Sequence, residues 1–147
     1  MAQPAVQVST NINASPSEVW NALTTPDLIK SYFFGSDVDT DWHEGSPIYF
    51  RGNWKGKKYE DKGEIQKFEP EKRLSYSHWS PLAGVPDKPE NYHLVTFDLA
   101  QTESGTKVTL SQGDLAGKTK EIDAAKKQEF EKNWKMVLDG LKKVVEA

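Results

Sequence analysis

Three histidines, His43, His78 and His93, are the side chains of this sequence best suited to move protons near neutral pH. His78 and His93 can fall on neighbouring strands facing inward, where one can titrate or orient a polar group of a ligand. Zinc would require a third ligand in good geometry, and neither HxH nor HExxH spacing occurs, so no metal site is expected. Cysteine is absent, which removes disulfides, thiolate nucleophiles and thiolate metal ligands. No GxSxG elbow presents a serine nucleophile. Gly52, Gly56 and Gly63 stand singly and form no phosphate loop, and no cofactor is expected. The remaining chemistry is recognition by rings: five Trp, five Tyr and six Phe make 11% of the chain.

Those rings need elements to place them. Apolar alternation from Ala5 to Ile12 predicts a strand. Ser15-Pro16-Ser17-Glu18 predicts a helix start, with Ser15 as the cap, Glu18 bonding back to it, and Val19, Trp20 and Leu23 buried. Thr25-Pro26-Asp27 repeats the device for a second short helix carrying Leu28, Ile29, Tyr32 and Phe33, ended by Gly35. From Ser36 to Asp114 the apolar period is two: Val38-Thr40-Trp42, Ile48-Phe50-Gly52-Trp54, Tyr59 to Phe68, Leu74-Tyr76-His78, Val95-Phe97-Leu99 and Val108-Leu110. Such alternation in successive hairpins implies an antiparallel sheet with one wet face. Pro81 to Pro89 reads as a loop. Phe130, Trp134, Val137, Leu138, Leu141, Val144 and Val145 share one face of a long closing helix, which Thr119 or Asp123 can cap. Gly140 within it costs about 1 kcal/mol against alanine, which points to a close approach by something large.

A long straight helix over a bent sheet of six or seven strands touches it along a line, leaving space to be filled or left as a pocket. From the strands, Phe50, Trp54, Tyr76, His78, His93, Val95, Phe97, Leu110 and Gln112 are the expected lining. Phe33, Phe34, Trp134 and Leu138 join them from the helices. Rings with a few polar atoms suit a small-molecule pocket, and each also suits an ordinary core.

Length and charge narrow the classes. The 147 residues fit one domain, 1–147. The net charge of -3 disfavours nucleic acid. Lysines at 55, 57, 58 and 62, and again at 118, 120, 126 and 127, are interleaved with acids and read as solvated faces. The N-terminus lacks a basic segment followed by an apolar run, and no apolar stretch approaches the ~20 residues of a membrane span, so a cytoplasmic protein is expected.

The order strand, two short helices, antiparallel sheet, long C-terminal helix resembles the START-like (SRPBCC) superfamily. More narrowly it is similar to the Aha-type branch, named for the activator of the heat-shock-protein-90 ATPase. The resemblance rests on Ile12-Asn13-Ala14-Ser15-Pro16-Ser17-Glu18-Val19-Trp20, Gly63-Glu64-Ile65, Phe68-Glu69-Pro70, Arg73-Leu74-Ser75-Tyr76, the hairpin around Gly105-Thr106, and Trp134 with Leu138 and Leu141. It implies an α+β helix-grip fold, a curved antiparallel sheet wrapped around the last helix. It also implies a small apolar, aromatic or lipid-like ligand between sheet and helix. Two other functions follow from it: a co-chaperone-like regulator of a chaperone ATPase, or a cyclase- or dehydratase-like enzyme using His78, His93, Tyr76 or Glu64. A monomer or homodimer is compatible with each. The chain departs from the branch at Tyr32-Phe33 and at His78, where tryptophans are common, so a relative's ligand does not carry over.

Overall fold

The computed structural model describes residues 6–33, 35–81, 84, 86–114 and 124–146, with only the backbone at 54, 114, 124 and 126. Phe34, the side chain of Trp54, the proposed caps Thr119 and Asp123, and the side chains of Lys118, Lys120 and Lys126 lie outside the described residues.

Strand β1 (Val6–Ile12) buries its two end residues and exposes Gln7, Ser9 and Asn11 between them. Helix α1 (Pro16–Leu23) starts as its sequence dictates. Ser15 is extended, its Oγ accepts the Glu18 N–H at 3.3 Å, and Pro16 occupies the first turn. No return bond from the Ser15 N–H to the Glu18 carboxylate forms among the described residues. Helix α2 (Pro26–Tyr32) also begins on proline. Thr25 is its N-cap residue, but the side chain makes no capping bond. Its hydroxyl instead donates 2.6 Å back to the Asn21 carbonyl at the end of α1, which also accepts from the Thr24 N–H.

The strands follow: β2 (Asp37–Thr40), β3 (Pro47–Trp54), β4 (Lys57–Glu69), β5 (Arg73–His78), β6 (His93–Gln101) and β7 (Thr106–Asp114). Each pairs antiparallel with its sequence neighbour, and β1 closes onto β7, giving one seven-stranded sheet in the order β1-β7-β6-β5-β4-β3-β2. Trp42 does not continue β2 as its alternation suggested. The strand stops at Thr40, and Trp42 takes a left-handed turn conformation (φ 59°) that folds its ring back toward Phe68, 6.4 Å away. The loop between β5 and β6 includes a 3-10 turn, Pro89–Asn91.

Helix α3 (Ala124–Glu146) packs one stripe into the sheet: Val137, Leu138 and Leu141 have no exposed surface, and Trp134, Val144 and Val145 flank them. Gly140 faces Tyr32 of α2. A Cβ there would stand 2.7 Å from the Tyr32 Cβ, so the missing side chain is what lets the two helices cross. The architecture is the helix-grip fold, an antiparallel sheet holding a long C-terminal helix with two short helices after its first strand.

Candidate functional site: a ring-lined interior

The inner residues of β3, β5 and β6 alternate toward the helices and bring a file of rings together. Phe33, at the end of α2, stacks on Phe50 of β3 with centroids 5.3 Å apart and lies 5.9 Å from Trp134 of α3. Phe50 also meets Tyr76 at 5.3 Å, and Tyr76 meets Phe97 at 6.5 Å. Pairs at these distances and tilts each add roughly 0.5–1.5 kcal/mol beyond their buried area.

The rings do not fill the interior completely. A void of about 20 Å³ remains, bordered by Phe33, Phe50, Tyr76 and Phe97 together with Leu23, Ile29, Tyr32, Val38, Trp42, Ile48 and Leu74. One water needs about 10–15 Å³, so the void is water-sized, and its apolar wall gives a water few partners. Among the described residues, none of α3 borders it. The hollow expected directly under the last helix is instead occupied by Val137, Leu138 and Leu141, and the remaining gap lies under α1, α2 and β2.

Two tyrosine hydroxyls differ sharply in this setting. The Tyr32 hydroxyl donates to the Ala22 carbonyl at 2.9 Å, filling an orphan acceptor at the end of α1. The Tyr76 hydroxyl has no hydrogen-bond partner among the described residues, although the residue is only 3% exposed. Burial pushes the ionisation of both far above the ordinary tyrosine range, and for Tyr32 the nearby Tyr76 adds to it.

His78 lies on the inner face at the end of β5. Its Nε2 is 3.0 Å from Asp61 Oδ2 on β4, and its ring meets the Phe50 ring edge-on at 5.7 Å. The other carboxylate oxygen, Asp61 Oδ1, is buried and has no hydrogen-bond partner. Gly63 makes the seat possible: a Cβ there would sit 1.7 Å from the Ser77 carbonyl, so β5 approaches β4 only because the side chain is missing. His93 stands directly across from His78 on β6. Glu64 is exposed, and its N–H donates to Ser77 Oγ at 2.9 Å. Among the described residues, no cluster of His, Cys, Asp and Glu has the makings of a metal site.

Of the residues nominated from sequence, Phe33, Phe50, Tyr76 and Phe97 come together around the void. Val95, Leu110 and Leu138 are packed in the surrounding core. Gln112 accepts a 2.6 Å hydrogen bond from Trp134 Nε1, tying β7 to α3. Sequence reasoning did not single out Asp61. Its signal was a charged residue at an inward strand position, between Tyr59 and Ile65.

At the rim of the sheet, Lys62 pairs with Asp87, and Tyr92 donates to Asp87 at 2.6 Å and stacks on Trp79. Partial burial, with the Asp87 carboxylate second, pushes the Tyr92 hydroxyl up to about 12. Lys62 and Tyr92 hold Asp87 below the usual carboxylate range. These contacts pin the far end of the β5–β6 loop over the outside of β4.

Among curated proteins no match is found. Among solved structures, the chain is similar to a Cytophaga hutchinsonii protein determined in solution, with 47% identity over 96% of this chain and 92% of that one and a TM-score of 0.80. The solution structure of the Aha1 dimer from Colwellia psychrerythraea aligns at 21% identity, covering 95% and 94% of the two chains, TM-score 0.72. The crystal structure of CalU16 from Micromonospora echinospora aligns at 23% identity over 99% and 81%, TM-score 0.70. The last two likenesses establish the fold alone. Residues 13–146 match the family model described as Activator of Hsp90 ATPase homolog 1-like protein, and the chain belongs to that family.

Proposed function

We propose that the chain is a single START-like domain that binds a small, largely apolar or aromatic molecule in its ring-lined interior. The observation that carries this reading is a void with an apolar wall that includes the rings of Phe33, Phe50, Tyr76 and Phe97. A ligand the size of one benzene ring needs a cavity of roughly 150 Å³. The 20 Å³ present therefore has to grow, by movement of Phe33 or Phe50. Phe33 sits at the C-terminal cap of a seven-residue helix, where its ring meets Phe50 and Trp134.

Methyl-resolved NMR of the unaltered protein titrated with toluene tests this. Shifts concentrated in Leu23, Ile29, Ile48 and Leu74, which border the void, are expected. Silence at all four methyl-bearing residues up to the solubility limit of toluene rules the reading out.

The family match favours one further reading, contact with a chaperone ATPase through the protein surface. It predicts that the purified chain changes the ATPase rate of a heat-shock-90-type chaperone. An unchanged rate at saturating chain disposes of it.

A further inference from the structure

The Asp61–His78 pair stands immediately behind Phe50. One carboxylate oxygen of Asp61 is engaged by His78 Nε2 at 3.0 Å, and the other, Oδ1, is buried with nothing to accept from. An ionised carboxylate has about four lone-pair sites, so a buried oxygen with none of them used is a strong acceptor waiting for a donor. His78 has no second hydrogen-bond partner among the described residues, and both side chains are mostly covered, 21% and 15% exposed. Phe50 is the partition. Its ring touches His78 at 5.7 Å and also borders the void beside Tyr76. The same ring movement that enlarges the void would open it onto the pair.

We propose that Asp61 Oδ1 is the polar subsite of the interior, and that it selects aromatic ligands carrying a hydrogen-bond donor such as a phenolic hydroxyl. Asp61 accepts the ligand's proton-bearing group and His78 holds the carboxylate in place through its second oxygen. The ring of the ligand lies where the Phe50 ring now partitions the space. This rests on the ligand-binding reading above and adds the chemical class to it. A charge-assisted O–H···O⁻ bond in a dry site is roughly twice as strong as a neutral one, so donor selectivity is the expected signature.

Three probes of nearly equal shape separate the possibilities: p-cresol, 4-methylanisole and toluene, titrated by NMR and calorimetry into the unaltered protein. Expected is p-cresol binding at least ten-fold tighter than both others, with the preference falling below three-fold in Asp61→Asn. The Asn keeps the shape and one acceptor oxygen but loses the charge. Equal binding of p-cresol and toluene overturns the subsite while leaving the apolar interior standing. A preference shared by p-cresol and 4-methylanisole also overturns it, because the ether oxygen has no proton to give and would be reporting the Tyr76 hydroxyl. Loss of binding by all three overturns the subsite together with the reading beneath it. The probe series on the unaltered protein decides the matter even should Asp61→Asn fail to fold.

Discussion

Tyr32 and Tyr76 are both buried beside the void, yet their hydroxyls have different roles. The Tyr32 hydroxyl completes a helix end through the Ala22 carbonyl, whereas the Tyr76 hydroxyl makes no hydrogen bond among the described residues. Removing each oxygen should therefore have unequal effects on stability. Tyr76→Phe is expected to change unfolding free energy by less than about 0.5 kcal/mol, since it breaks no hydrogen bond within the described residues. Tyr32→Phe should lower it by about 1 kcal/mol by orphaning a buried carbonyl. Urea denaturation of the two variants checks the pair, and a clear loss in Tyr76→Phe would mean that its hydroxyl is bonded in solution. At this scale the sequence was informative about rings and silent about oxygens. Phe50, Tyr76 and Phe97 declare themselves by period-two spacing. Whether a hydroxyl or a carboxylate finds a partner depends on distances between strands that no spacing encodes, which is why Asp61 passed unnoticed in a polar stretch.

Elements were more legible, because their signals are local. Ser15-Pro16 starts α1 through a bond within one turn, and the β6–β7 hairpin turns around Glu103-Ser104-Gly105. Thr25 and Trp42 were misleading for different reasons: the Thr25 hydroxyl bonds back four residues to Asn21, a competing local partner, whereas Trp42 has a tertiary partner in Phe68. Gly140 is the instructive intermediate. Its cost inside a helix announced a close neighbour, and the neighbour is Tyr32. Gly140→Ala should gain about 1 kcal/mol in helix propensity. Against this, the new Cβ would lie 2.7 Å from the Tyr32 Cβ and 3.3 Å from its Cα. The Tyr32 Cα belongs to the backbone of α2, so a rotamer change does not relieve the contact, and overpacking of this kind costs about 1–3 kcal/mol. The net expectation is a loss near 1 kcal/mol and a lower Tm. An unchanged or higher Tm would show that α2 slides aside freely.

At the scale of the molecule, α3 is held unevenly. Its second half carries the fully buried Val137, Leu138 and Leu141 and ends in an anchor to β1. There Asn13 N–H donates to Glu146 Oε2 at 2.8 Å, and Lys142 Nζ donates to both Glu146 and the Asn11 carbonyl at 2.7 Å. Those donors hold the Glu146 carboxyl below its usual range. A carboxylate held low contributes while ionised, so the anchor is complete at neutral pH and fades only as acid passes that lowered value. In the first half, residues 127–136 include no buried side chain, and the principal inward contact is half-buried Trp134, through Phe33 and Gln112. Local opening starts where few apolar contacts are lost, so the way into the interior runs beneath this first half, beside Phe33. Hydrogen exchange should find amides of residues 128–135 at least ten-fold less protected than those of 138–145, with toluene slowing the first group selectively. Uniform protection along α3 would place the entrance elsewhere and leave Phe33 with no route by which to yield.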